Sequence, residues 1–174
     1  MNMMRQLNSK SAKVALEEYV YVSKYAKFLH DEQRRETWPE TVLRYKENVL
    51  DRFLGEEISQ KIAKAITMMD VVPSMRMLTT AGPALDRDNV CGYNCAYKAI
   101  TRPRDFSDAL FILSSGTGMG YSVEKQYISQ LPVVSDSMTA QKDDYVVEDS
   151  REGWQSAVQN AMEEGFEGRL YHYD

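Results

Sequence analysis

Two cysteines, Cys91 and Cys95, are the residues of this 174-residue chain best suited to redox chemistry. A thiol can give up a proton and an electron, and two thiols store two oxidising equivalents reversibly as a disulfide. Their C-x-x-x-C spacing does not by itself make a local pair. Along an extended strand four residues separate the Cα atoms by about 13 Å, against the roughly 7 Å that a disulfide tolerates. The two could meet only across a sharp turn. No metal site is expected either, because zinc takes four ligands and the only histidines, His30 and His172, are remote in sequence. Read alone, Cys95 is a small buried hydrophobe.

Three other groups invite a chemical reading. Ser74 follows Pro73, and a hydroxyl with free N–H groups near a helix start suits a phosphate, or equally a turn or helix cap. The run Gly116-Thr117-Gly118-Met119-Gly120 looks like a phosphate cradle. A dinucleotide fingerprint, however, follows a strand and opens a helix, whereas this run follows a predicted helix and opens a strand. It reads as glycines that reverse the chain and let helix and strand pack closely. Tyr93, Tyr97 and Tyr121 read as sheet packing in the core rather than as a radical relay.

The elements that position these residues fall into two regions. Apolar Ala15, Tyr19, Val22, Ala26 and Leu29 predict one face of a helix over residues 11–29. Thr37-Trp38-Pro39-Glu40 is a capping box opening a second helix, with Val42, Tyr45, Val49 and Phe53 inward and Gly55 at its end. A third helix is expected over residues 57–69, burying Ile58, Ile62, Ala65, Ile66 and Met69, and Pro73 closes the helical block. Residues 79–89 carry loop chemistry, and residues 92–100 alternate as a strand, with Cys95 and Tyr97 on one face and Asn94, Lys98 and Ile100 on the other. A helix over residues 105–114 and a strand over 119–124 complete a strand, helix, strand unit with parallel pairing expected. Residues 135–144 read as a flexible loop, and residues 150–164 as a last helix burying Trp154, Ala157, Val158, Ala161 and Met162.

Composition narrows the function classes. With 43% hydrophobic residues the chain can bury a core, and its formal net charge of −5 with scattered basic residues leaves no footprint for nucleic acid or an anionic membrane. Residues 1–10 lack the apolar core of a signal peptide, and no apolar run approaches a membrane span, so a cytoplasmic location is expected. A single nucleoside triphosphate remains a possible ligand, since a few amides and cations suffice to hold it.

Several motifs in residues 72–133 match one family in order: Pro73-Ser74-Met75-Arg76, Ala81-Gly82, Asn94-Cys95, Gly116 to Gly120, and Leu131-Pro132. The chain resembles the N-terminal part of adenosylcobalamin-dependent (class II) ribonucleotide reductase, of the monomeric, triphosphate-reducing type. That resemblance implies an α/β fold in which an N-terminal helical region (residues 1–72) precedes the first strands and helices of a ten-stranded α/β barrel (residues 73–174), here truncated. It implies that Cys95 lies on the first barrel strand and is one of two thiols oxidised as the ribose 2′-hydroxyl leaves. The partner thiol would come from later sequence, not from Cys91. Ser74 and Asn94 would meet substrate, and Asp105 with Arg102 an effector nucleotide, although a helix cap serves Asp105 equally. Adenosylcobalamin, an external dithiol reductant, a ribonucleoside triphosphate and a C-terminal part of the reductase are the implied cofactors and partners, and the chain alone would be inactive. A non-catalytic nucleotide-binding or reductase-regulating remnant is the alternative.

Overall fold

The computed structural model describes residues 2–174. Met1 and the side chains of residues 2–11 and 13 lie outside the described structure; the first helix, expected over residues 11–29, spans Asn2–Lys24 instead. Two compact units divide at Gly92 and Tyr93. This division falls later than the boundary expected at residue 72, because the segment after Pro73 packs into the helical core.

The first unit holds helix α1 (Asn2–Lys24), a hairpin of β1 (Phe28–Leu29) and β2 (Arg34–Arg35), α2 (Trp38–Tyr45), α3 (Asp51–Phe53), α4 (Glu56–Thr67), α5 (Met75–Thr80) and α6 (Pro83–Arg87). The capping box forms as predicted, with the Thr37 amide donating to Glu40 at 2.7 Å. Between α2 and α3 the chain makes a π-turn, Lys46–Leu50. A π-turn holds one more residue than an α-turn and shifts the buried stripe by one position. Val42 and Tyr45 are therefore buried as expected, but Leu50 and Leu54 follow them inward and Phe53 is 82% exposed. Gly55 does not close this helix in a left-handed conformation; its φ of −67° makes it the N-cap of α4.

Burial on α4 follows Ser59, Ile62, Ala63 and Ile66, and leaves Ile58 and Met69 exposed where they were expected inside. Ser59 is admitted because its hydroxyl donates to Asp51. On α1 the expected face is also displaced. Tyr19 and Val22 are exposed, Tyr21 and Tyr25 are half-buried, and Leu29 belongs to β1. The displacement follows the Tyr21 hydroxyl, which donates to the Glu36 carbonyl at 3.0 Å and lies 2.8 Å from the Thr41 hydroxyl. Pro73 does not end the helical block. Ser74 caps α5, Leu78 and Ala81 enter the core with Val42, Tyr45 and Ile66, and α6 occupies part of the predicted loop.

A polar network runs through this core. Glu36, 5% exposed, takes a two-pronged ion pair from Arg44 at 2.6 and 2.8 Å, the Thr41 hydroxyl at 2.8 Å and the Lys27 amide at 3.1 Å. Arg44 also donates to the carbonyls of Leu78 and Ala81, and the Lys27 ammonium donates to Ala81. Burial alone would raise the Glu36 carboxyl, but the Arg44 and Thr41 hydrogen bonds outweigh it and hold the group below the usual carboxylate range. Gly82, directly after these carbonyls, has φ of +104°, a conformation that side-chain-bearing residues rarely adopt.

The second unit holds β3 (Cys95–Ala99), α7 (Arg104–Ser114), β4 (Gly118–Ser122), α8 (Lys125–Ile128), β5 (Thr139–Ala140), α9 (Arg151–Phe166) and β6 (Arg169–Leu170). The expected parallel pair forms between β3 and β4, and α7 packs on α9. The predicted loop over residues 135–144 contains β5, paired parallel to β6. On α9 the buried positions are Gly153 and Ala157, while Trp154 and Ala161, expected inside, are exposed. The stripe turns toward glycine because α9 begins against the preceding loop, where a Cβ on Gly153 would lie 2.3 Å from the Glu148 carbonyl oxygen.

Glu36→Gln should cost about 3 kcal/mol, because Arg44 keeps its buried charge and loses its counter-ion. Gly82→Ala should cost about 1–3 kcal/mol through backbone strain. Urea unfolding at pH 7 measures both as a lowered midpoint.

Candidate functional site

Strands β3 and β4 run in register, Cys95 opposite Gly118, Tyr97 opposite Gly120 and Lys98 opposite Tyr121. Lys98 and Ile100 share a face of β3, as the sequence pattern predicts, and the structure turns that face toward α7. Ile100 is 2% exposed, and the Lys98 ammonium reaches Asp105 at 3.0 Å and also Asp108. Cys95 and Tyr97 consequently occupy the opposite face, which is open: Cys95 is an exposed free thiol and Tyr97 is 65% exposed. The reading of Cys95 as a buried hydrophobe fails here. So does the assignment of the three tyrosines to the core, since Tyr93 and Tyr121 are also exposed. The face that carries Cys95 and Tyr97 points away from α7, whereas Tyr121 is exposed although its pairing with Lys98 puts it on the α7 side. Tyr121 pairs with Lys98 and thus lies on the other face from Tyr97, which does not favour a relay through the three rings.

The glycine run divides its work. Gly116, with φ of +80°, reverses the chain after α7, its amide donating to the Leu113 carbonyl at 2.8 Å. Thr117 is 1% exposed and its hydroxyl donates to the Tyr93 carbonyl at 2.9 Å, while the Gly118 amide donates to the Asn94 carbonyl at 2.9 Å. These bonds anchor the backbone on the N-terminal side of Cys95. Gly118 and Gly120 are different: a Cβ would come no nearer than 3.4 Å to the Asn94 oxygen at Gly118, or 3.8 Å to the Tyr97 ring at Gly120. Those are ordinary van der Waals separations, and neither residue has a left-handed backbone. Packing therefore does not require glycine at these two positions. Their effect is to leave β4 bare beside the Cys95 thiol.

The remaining predicted residues fall as follows. Ser74 is exposed and its hydroxyl accepts the Met77 amide at 3.4 Å, the capping alternative, which leaves its O–H directed elsewhere. Asn94 is exposed beside Cys95. Asp105 is 1% exposed and accepts hydrogen bonds from the amides of Thr101 and Arg102, the Thr101 hydroxyl and the Arg102 guanidinium. Desolvation would raise its carboxyl, yet the bonds from Thr101, Lys98 and Arg102 hold it far below the ordinary carboxylate range. Arg102 is the exposed member of this pair. Cys91 is half-buried in the 3₁₀ turn Asn89–Gly92, and its carbonyl accepts from Arg76 at 2.8 Å. Sequence reasoning missed the anchoring by Thr117 and the Lys98–Asp105–Asp108 cluster. Period-two alternation had already set Lys98 on the face opposite Cys95, together with Ile100, which was the available signal for the cluster. Among the described residues no group of three or more His, Cys, Asp or Glu side chains could hold a metal, and no helix is long and apolar enough to cross a membrane.

An open-faced parallel strand pair carrying a solvent-accessible thiol, with helix α7 joining its strands, is an α/β arrangement. No family model matches this sequence. The chain is 27% identical to the adenosylcobalamin-dependent ribonucleoside-triphosphate reductase of Lactobacillus delbrueckii subsp. bulgaricus over 79% of its own length and 23% of the relative's. It is 24% identical to the enzyme of the same description from Levilactobacillus brevis, over 68% of this chain and 20% of that one. In fold it is similar to a crystal structure of B12-dependent (class II) ribonucleotide reductase, with a TM-score of 0.68 and 22% identity, covering 90% of this chain and 32% of the other. The resemblance carried by residues 72–133 is thus borne out. The chain spans about a quarter of the length of the curated relatives it matches.

Asp105→Asn should destabilise the chain by about 2 kcal/mol at pH 7. The carboxyl of Asp105 is depressed in the folded state, so its contribution is present above the unfolded carboxylate value near 4 and is lost as pH falls toward the folded value. Urea titrations of both proteins from pH 7 to pH 2.5 should show the difference between them shrinking with acidification.

Proposed function

We propose that this chain forms the first part of a class II ribonucleotide reductase that converts ribonucleoside triphosphates to deoxyribonucleotides, with Cys95 as a redox-active, substrate-side thiol. The observation that carries this reading is the open thiol of Cys95 opposite the bare Gly118 on β4, taken with the similarity to the triphosphate reductases. In the completed protein β3 and β4 would be the first strands of the α/β barrel.

The chemistry balances with two thiols. Loss of the ribose 2′-hydroxyl as water, with a hydrogen in its place, consumes two electrons and two protons. Cys95 and a second cysteine from the remaining part supply them and become a disulfide, which an external dithiol reduces for the next turnover. This chain's contribution is placement. The Thr117 and Gly118 bonds fix the backbone before Cys95, and a thiol on a held strand keeps a constant position beneath a sugar. By the resemblance alone Ser74 and Asn94 are the further candidates for substrate contact, and Arg102, held through Asp105, offers an exposed cation to an effector nucleotide.

A thiol, a phenol and two glycines suit a sugar and do not form a seat for a corrin. Adenosylcobalamin, which would supply the radical that starts thiyl chemistry, is accordingly assigned mainly to the remaining part of the reductase, and no step here is routed through it.

Combined with that remaining part, adenosylcobalamin, a dithiol and a ribonucleoside triphosphate, the chain should yield deoxynucleotide; alone it should yield none. Cys95→Ser should abolish multiple turnover in the active assembly, assayed by product chromatography. Sustained turnover by that variant would remove Cys95 from the mechanism. An inactive wild-type assembly, with tight triphosphate binding by the chain alone, would favour a nucleotide-binding or regulatory role instead.

A further inference from the structure

The thiol chemistry proposed for Cys95 gives Tyr97 no part in the redox step. It sits two residues after Cys95 on the same open face, so their Cα atoms are about 6.6 Å apart. Its ring leans across the pair toward β4, with Cδ2 3.8 Å from where a Cβ on Gly120 would stand. An aromatic ring lying beside a cross-strand glycine replaces the missing side chain there. Tyr97 thus covers Gly120, while Gly118, next along β4 and opposite Cys95, stays bare. The result is a step: a bare floor at Gly118 with the thiol at one side, ended by an aromatic wall. The wall stays 65% exposed, and among the described residues the Tyr97 hydroxyl has no hydrogen-bond partner. A large, rigid, amphipathic side chain in that position offers a free face and a free hydroxyl to a ligand.

We propose that Tyr97 is a specificity-determining residue that contacts the nucleoside part of a ribonucleoside triphosphate beside the reacting sugar, with its ring as the wall that fixes the sugar's position over Gly118. This rests on the reading of Cys95 as the substrate-side thiol. The glycines at 118 and 120 and the tyrosine at 97 form one device: Gly118 makes room beside the thiol, Gly120 admits the ring of Tyr97, and the ring limits that room on one side.

The test uses the assembled reductase with cofactor and dithiol, comparing wild type, Tyr97→Phe and Tyr97→Val by steady-state kinetics on ribonucleoside triphosphates. Valine keeps strand propensity and removes the wall. Its KM should rise about tenfold with kcat changed less than about twofold, the pattern of lost ground-state binding, and phenylalanine should stay within about threefold of wild type. A second readout needs no turnover. In a Cys91→Ser background, nucleoside triphosphate should protect Cys95 from iodoacetamide, and the half-protecting concentration should rise by the same factor in Tyr97→Val. Should the valine variant fail to fold by near-UV circular dichroism, Tyr97→Trp replaces it. That longer wall should shift the preference between purine and pyrimidine triphosphates, and an unshifted preference would overturn the proposal. Unchanged KM and unchanged protection in Tyr97→Val, with Cys95→Ser inactive, would overturn the role of Tyr97 and leave that of Cys95 standing. A wild-type assembly that neither reduces substrate nor shows protection of Cys95 would overturn both.

Discussion

The two-pronged ion pair between Glu36 and Arg44 is the constraint around which the first unit is arranged. Burying both charges is costly, and the cost is offset only because every partner needed to satisfy them is within reach. Thr41 and the Lys27 amide complete the carboxylate, and Arg44 spends a further nitrogen on the carbonyls of Leu78 and Ala81. These bonds tie the β-hairpin to α2 and α2 to the end of α5. The left-handed Gly82 follows at the point where those carbonyls are held, so the direction in which the chain leaves α5 is set by the same network.

A comparable device operates in the second unit at smaller scale. Asp105 gathers the amides of Thr101 and Arg102 and the charge of Lys98, joining the end of β3 to the start of α7. With Lys98 committed inward, strand alternation leaves Cys95 and Tyr97 on the opposite face. Thr117 and Gly118 then anchor the backbone just before the thiol. The open face is thus a consequence of buried polar bonding on the closed one. That is the physical link between the fold and the chemistry proposed for it.

Sequence periodicity located the longer helices and the parallel strand pair, missed the short helices α5, α6 and α8, and failed most often on which residues face inward. Three of those failures have separate causes. A π-turn shifted the stripe from Phe53 to Leu50 and Leu54, while Val49 stays partly packed against the core. A tyrosine hydroxyl bonded to Thr41 and Glu36 drew Tyr21 inward and left Tyr19 outside. Close backbone approach selected Gly153 over Trp154 on α9. In each case a hydrogen bond or a steric limit outweighed apolar spacing, and neither effect leaves a periodic trace.

What the sequence by itself determined is local: the capping box at Thr37, the reversal at Gly116, the alternation through Cys95, and the ordered motifs of residues 72–133 that place the chain beside the class II reductases. These depend on neighbours within a few residues, or on matched spacing, and can be read along one dimension. Only the tertiary structure decided that Gly118 stands opposite Cys95 and Gly120 opposite Tyr97, and that Asp105 is sealed while Arg102 is exposed. Register and burial depend on which residue of a distant segment arrives alongside. That depends on packing and polar satisfaction across the whole unit, which spacing along the chain does not encode.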